Sequence, residues 1–125
     1  MPRNRRSAKA AGSRFESLIA SGLAELLDDD RIERRAKSGA KDRGDITGIK
    51  VHGQRLVIEA KDCARIDLPG WIREAHAEAA NDDALLGVVT FKRRGKGDAA
   101  SQYVVMELRD LVALITGQPQ EGRYD

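Results

Sequence analysis

Phe15, Leu18, Ile19, Gly22, Leu23, Leu26 and Leu27 recur at three- and four-residue intervals, the spacing that lines one face of an α-helix. Ser13 and Glu16 stand at capping-box spacing before this run, so the helix is expected to open at Ser13 and to leave residues 1–11 as a disordered arm. It ends near Asp28, Asp29 and Asp30, whose charge is unfavourable at a helix C-terminus and suits the following turn. Residues 31–37 alternate weakly and predict a short strand with Ile32 and Ala36 inward. Residues 44–61 hold two β-prone runs around His52-Gly53, the pattern of an antiparallel hairpin. On its second strand Leu56, Ile58 and Ala60 fall on one face, and Val57, Glu59 and Lys61 on the other.

Asp67 and Pro69 open a further helix through Trp71, Ile72, Ala75 and Ala79 to about Asn81. Its alanines allow close approach to a sheet, Trp71 reads as a packing residue and His76 as solvent-facing. Residues 85–92 form an apolar run expected as a central strand, paired with residues 101–106 across a basic turn. A last helix starts near Leu108, is expected to bury Leu111, Val112, Leu114 and Ile115, and stops at Gly117 and Pro119. The element order is α-β-β-β-α-β-β-α, an α/β fold.

A chain of 125 residues suits one core, here a single domain over residues 12–117 followed by a polar tail at 118–125. No apolar run approaches the length of a membrane span, and the basic start lacks the apolar segment of a secretory signal, so the expected location is cytoplasmic. Cys63 is the single cysteine, which excludes an internal disulfide and a thiolate zinc cluster and reads as a buried or half-buried small residue. The net charge of +2 is unevenly spread. Arg3, Arg5, Arg6, Lys9 and Arg14 fall in a stretch without acids, and Lys92, Arg93, Arg94 and Lys96 share a glycine-bearing turn. Such clusters neutralise phosphates, which makes DNA or RNA the partner class to test; a solvated loop kept for solubility is the alternative.

Candidate chemistry centres on the hairpin. Glu59 and Lys61 project together, and closure at His52-Gly53 brings the strand of Asp45 to about 4.8 Å in the hydrogen-bonding direction. An acid in an apolar strand is costly to bury unless it is paired or metal-bound; otherwise the face is simply solvated.

An Asp about a dozen residues before an apolar strand carrying Glu-x-Lys resembles the signature of the PD-(D/E)XK nuclease superfamily, with Asp45, Glu59 and Lys61 at its positions and Gly44 where a Pro is usual. Gly12-Ser13-Arg14-Phe15-Glu16 is similar to the opening of the archaeal-type Holliday-junction resolvases and their phage relatives. The resemblance spans about residues 12–116 and implies a restriction-endonuclease-like core, a mixed central sheet flanked by helices. It implies a metal-dependent endodeoxyribonuclease that hydrolyses phosphodiester bonds at four-way junctions. The alternatives are a nuclease of the same fold acting on duplex, nicked or flapped DNA, and a non-catalytic basic nucleic-acid-binding domain.

By the resemblance, Asp45 and Glu59 would hold Mg²⁺, with Mn²⁺ as a substitute, joined by the Ala60 carbonyl and by Glu16. Glu16 as ligand competes with Glu16 as helix cap. Lys61 would stabilise the developing charge and position water rather than act as a base, since neighbouring carboxylates favour its ammonium form. Ser38 matches a loop serine near the scissile phosphate, and Lys41 and Arg43 would meet DNA from the same loop. Cutting two opposed strands of branched DNA implies a homodimer, joined through the last helix or through residues 85–89. The setting is the cytoplasm, or the host cytoplasm for a phage-encoded chain.

Overall fold

The computed structural model describes residues 4–35 and 44–122. Its first helix, α1 (Arg5–Leu26), starts about two turns earlier than the Ser13 capping box predicts. Asn4 is the cap: its Oδ1 accepts the Ser7 N–H at 2.8 Å. Ala8, Ala10 and Ala11 then carry the helix forward, and Ala11 is already buried, so residues 5–11 are helical rather than a disordered arm. Ser13 and Glu16 are interior helical residues, which removes the capping role for Glu16.

Strand β1 (Glu33–Arg34) pairs antiparallel with β2 (Ile46–Thr47), and Ile32 before it is buried as expected. Strands β3 (Lys50–Val51) and β4 (Gln54–Lys61) form the hairpin around His52 and Gly53. Both turn residues have positive φ, 53° and 70°, as a tight type I′ turn requires. The single strand expected before that turn is split into β2 and β3. Gly48, at φ 94° and packed against the Arg31 backbone, makes the break, and a side chain there would collide with that backbone.

Helix α2 (Leu68–Asn81) starts at Asp67, which accepts the Gly70 N–H at 3.1 Å, and it crosses over to β5 (Leu86–Phe91). β4 and β5 are therefore parallel, while β6 (Tyr103–Val105), reached through a 3₁₀ turn at Ala99–Ser101, pairs antiparallel with β5. The sheet order is β3-β4-β5-β6, a mixed sheet of four strands. One face carries α1: Phe15, Ile19 and Ala20 pack on Ile58, Ala60, Leu86 and Val88. The other face carries α2, where Ala79 meets Val57, and Trp71 and Ala75 meet Val89. The alanines bring α2 so close that a Cβ on Gly87 would run into the Ala75 carbonyl oxygen.

Helix α3 (Leu108–Thr116) departs from expectation. Leu111, Val112 and Ile115 are 39%, 37% and 69% exposed and Leu108 is 77% exposed, because the helix meets the core through Ala113 and Leu114. Its Asp110 is turned inward onto His76 of α2, with Oδ2 to Nε2 at 2.8 Å. His76 is thus buried at 6% exposure, not solvent-facing. Residues 85, 86, 88 and 89 are fully internal and leave no surface for a second chain. Among the described residues no helix is long and apolar enough to cross a membrane.

Candidate active site

Asp45 is fixed through its backbone before its side chain is considered. Its N–H donates to the Ile58 carbonyl of β4 at 3.2 Å, and its own carbonyl accepts the Arg35 N–H at 2.7 Å. This directs the carboxylate along β4, where Oδ2 accepts the Ala60 N–H at 2.9 Å. Asp45 and Glu59 come into side-chain hydrogen-bond contact, both 5% exposed. The alternation along β4 places Glu59 and Lys61 on the face covered by α2, and Ala60 on the face covered by α1.

From α1, Glu16 completes the group. Its Oε2 accepts from Arg34 Nε at 2.8 Å, and Arg34 Nη2 reaches Ser13 Oγ at 3.3 Å. Glu16, Asp45, Glu59, Ala60 and Lys61 all line one cavity of about 300 Å³. Its rim includes Lys9, Gly12 and Ser13 of α1 and Asp62 and Cys63 beyond β4. The cavity therefore opens at the C-terminal end of the parallel pair β4–β5, the usual position for a site in an α/β sheet. Cys63 is exposed there rather than buried.

The electrostatics follow from burial. Desolvation, then the hydrogen bond and charge of Glu59, push Asp45 up to about 9. Glu59 is likewise raised to about 9, by desolvation and then by a hydrogen bond to the Glu78 carboxyl. At neutral pH both carboxyls are therefore held toward their protonated forms. Burial acts to lower Lys61, but its hydrogen bond to Glu74 and the charges of Glu59 and Glu74 outweigh this and hold it above its ordinary value. Lys61 Nζ lies 2.6 Å from Glu74 Oε2 and 3.7 Å from Glu59 Oε1. Lys61 is a fixed ammonium.

A hard divalent cation suits oxygen donors of this kind: Asp45, Glu16 and Glu59 line one cavity, and Glu59 Oε2 is buried with no hydrogen-bond partner among the described residues. Asp45, Glu59 and Glu16 are the cavity-lining acids that could hold it, while Ala60 lines the same cavity and contributes its N–H to Asp45.

The other expected site residues divide into three sets. Arg3, Ser38, Lys41 and Arg43 lie outside the described residues. Arg5, Arg6, Lys9 and Arg14 are exposed on α1, and Lys9 reaches the cavity rim. In the basic turn, Arg94 and Lys96 are exposed, whereas Lys92 and Arg93 hold the turn together. Lys92 Nζ donates to the Arg93 and Lys96 carbonyls, and Arg93 donates to the Ser101 carbonyl at 2.8 Å while lying 4.0 Å over the Tyr103 ring. The Lys92 N–H also bonds the Lys61 carbonyl at 2.9 Å, so this turn leaves the sheet at the same end as the cavity.

Sequence reasoning missed Arg34, Glu74 and Glu78. A signal existed for Glu78, since it falls on the same helical stripe as Trp71, Ala75 and Ala79 and must enter the interior with them. Arg34 and Glu74 carried none, because their partners Glu16 and Lys61 are brought to them only by folding. No protein-family model matches the chain, and neither the curated proteins nor the solved structures contain a match to it.

Proposed function

We propose that the chain is a Mg²⁺-dependent DNA endonuclease with a restriction-endonuclease-like core, acting on branched DNA of the four-way-junction type. The observation that carries this reading is the convergence of Asp45, Glu59, Lys61 and Glu16 in one cavity at the end of β4. A cation bound there supplies Lewis-acid stabilisation of the phosphoryl oxygens and a water of lowered pKa. Asp45 and Glu59 would serve as its carboxylate ligands. The Lys61 ammonium, held by Glu74 and Glu59, stabilises charge on the phosphorane and orients the attacking water. It does not take the proton, because its surroundings favour the charged form.

Duplex arms would lie along α1, where exposed Arg5, Arg6 and Lys9 lead toward the cavity, and against Arg94 and Lys96 of the turn at the same end of the sheet. Paired incisions need two sites in one assembly, and the exposed stripe Leu108, Leu111, Val112 and Ile115 offers a surface for a symmetric homodimer.

The test is cleavage of a labelled four-way junction against its component linear duplexes, with Mg²⁺ and with chelator, for the wild-type chain and for Asp45→Ala and Lys61→Ala. The expected result is paired, Mg²⁺-dependent cuts near the branch point that both substitutions abolish without loss of DNA binding. Equal cutting of linear duplex would keep the nuclease and discard junction preference. Binding without cutting under any condition would leave a non-catalytic DNA-binding domain.

A further inference from the structure

Lys61, Phe91 and Tyr103 stand opposite one another on β4, β5 and β6 and share the α2 face of the sheet. The helix covers only the inner part of this row. Phe91 packs against Trp71 with ring centroids 5.8 Å apart, and meets Tyr103 edge-on at 6.2 Å. Tyr103 lies beyond them on the edge strand and is 53% exposed. The Arg93 guanidinium sits 4.0 Å over its ring and is held there by an Nη1 hydrogen bond to the Ser101 carbonyl at 2.8 Å. A planar cation is thus fixed in advance on a half-exposed ring. Its partners are that carbonyl and the ring, with no carboxylate among the described residues. The single acid of the basic turn, Asp98, is bound by Ser101 Oγ at 2.6 Å, and Arg94 and Lys96 stand exposed beside it.

We propose that the Tyr103–Arg93 pair is a stacking platform for an unpaired base of the DNA strand that passes the site. The ring and guanidinium take the flat face of the base, and the uncompensated charge of the turn takes the phosphates on either side of it. Tyr103 is two strand spacings, about 10 Å, from Lys61. That is the length of about three stacked nucleotides, so the base on the platform belongs to the same strand as the phosphate at Lys61. A fully paired duplex has no base to offer, because each is already stacked between its neighbours. The inference deepens the proposed function, since it rests on the scissile phosphate lying at Lys61, and it names the substrate class as DNA with unpaired nucleotides beside the cut.

The experiment measures binding of the full chain by fluorescence anisotropy in chelator, where no cutting occurs. The probes are a labelled linear duplex, the same duplex with a short unpaired bulge, and that bulge with its bases removed to leave abasic sugars. The wild type should bind the bulged DNA about tenfold tighter than the duplex, and the abasic bulge should fall back to the duplex value. This comparison uses the wild type alone and does not depend on how a variant folds. Tyr103→Ile keeps a strand-forming side chain without a ring and should lose the preference, Tyr103→Phe should keep it, and all three proteins should bind duplex equally. Val104→Ala, on the opposite face of the same strand and 56% exposed, should match the wild type. Equal binding of bulge and duplex, an abasic bulge bound as tightly as the intact one, or a preference retained in Tyr103→Ile overturns the platform. Mg²⁺-dependent cutting alongside any of these results would keep the nuclease reading. A Tyr103-dependent preference in a protein that cuts no DNA would sink that reading and keep the platform.

Discussion

Replacing Asp45 by Asn should stabilise the metal-free protein, and the gain should grow with pH. Asp45 is 5% exposed and held up at about 9, against an ordinary value of 3.8. A group raised in the folded state contributes its stability below the unfolded value and loses it as pH climbs toward the folded one. From 3.8 to pH 7 the loss accumulates to about 4 kcal/mol, at about 1.4 kcal/mol for each pH unit. Asn has no proton to retain. It still offers an oxygen to the Ala60 N–H, and its amide donates toward Glu59, so the local hydrogen bonding survives. Urea unfolding in chelator should find the two proteins equal near pH 4 and Asp45→Asn ahead by several kcal/mol at pH 7 to 8. Adding Mg²⁺ should then stabilise the wild type and leave the variant unmoved. A gap that does not widen with pH, or a variant less stable than wild type at pH 8, would refute the claim that Asp45 is a buried acid that holds its proton.

Three further outcomes test the frame around the site. Gly87→Ala places a methyl against the Ala75 carbonyl and should cost about 3 kcal/mol in unfolding free energy, since backbone on both sides must shift; a loss near zero would mean α2 does not seat on β5 as described. His76→Ala leaves Asp110, 1% exposed, without its partner on α2 and should cost about 3 kcal/mol, measured by urea unfolding; a cost no larger than that of an exposed pair would make the contact dispensable. Leu108→Glu with Ile115→Glu changes two residues that are 77% and 69% exposed in the single chain, so folding should be unaffected while sedimentation shows a dimer falling to a monomer. An unchanged mass would remove α3 from any interface.

What was legible beforehand was local. The three- and four-residue spacing marked α1 from Phe15 onward, Asp67-Leu68-Pro69 marked the start of α2, and the tight turn at His52-Gly53 fixed the β3–β4 register. Each is set by interactions a few residues apart, and the alternation along β4 likewise put Glu59 and Lys61 on one face regardless of what covers it. The start of α1 was misplaced because two local caps, Asn4 and Ser13, competed, and the alanines between them let the helix run through the second.

Tertiary packing decided the rest. The α3 pattern reads as a buried face, yet the chain turns Ala113 and Asp110 inward, because His76 on α2 waits there and no described element covers Leu108 or Ile115. Glu16 is a ligand candidate rather than a cap because the helix begins earlier, and Arg34 meets it from 18 residues away. Local spacing determined which side chains share a face. Only the packing of distant elements determined which faces lose their water, and loss of water is what turned Asp45 and Glu59 from ordinary acids into proton-holding ones.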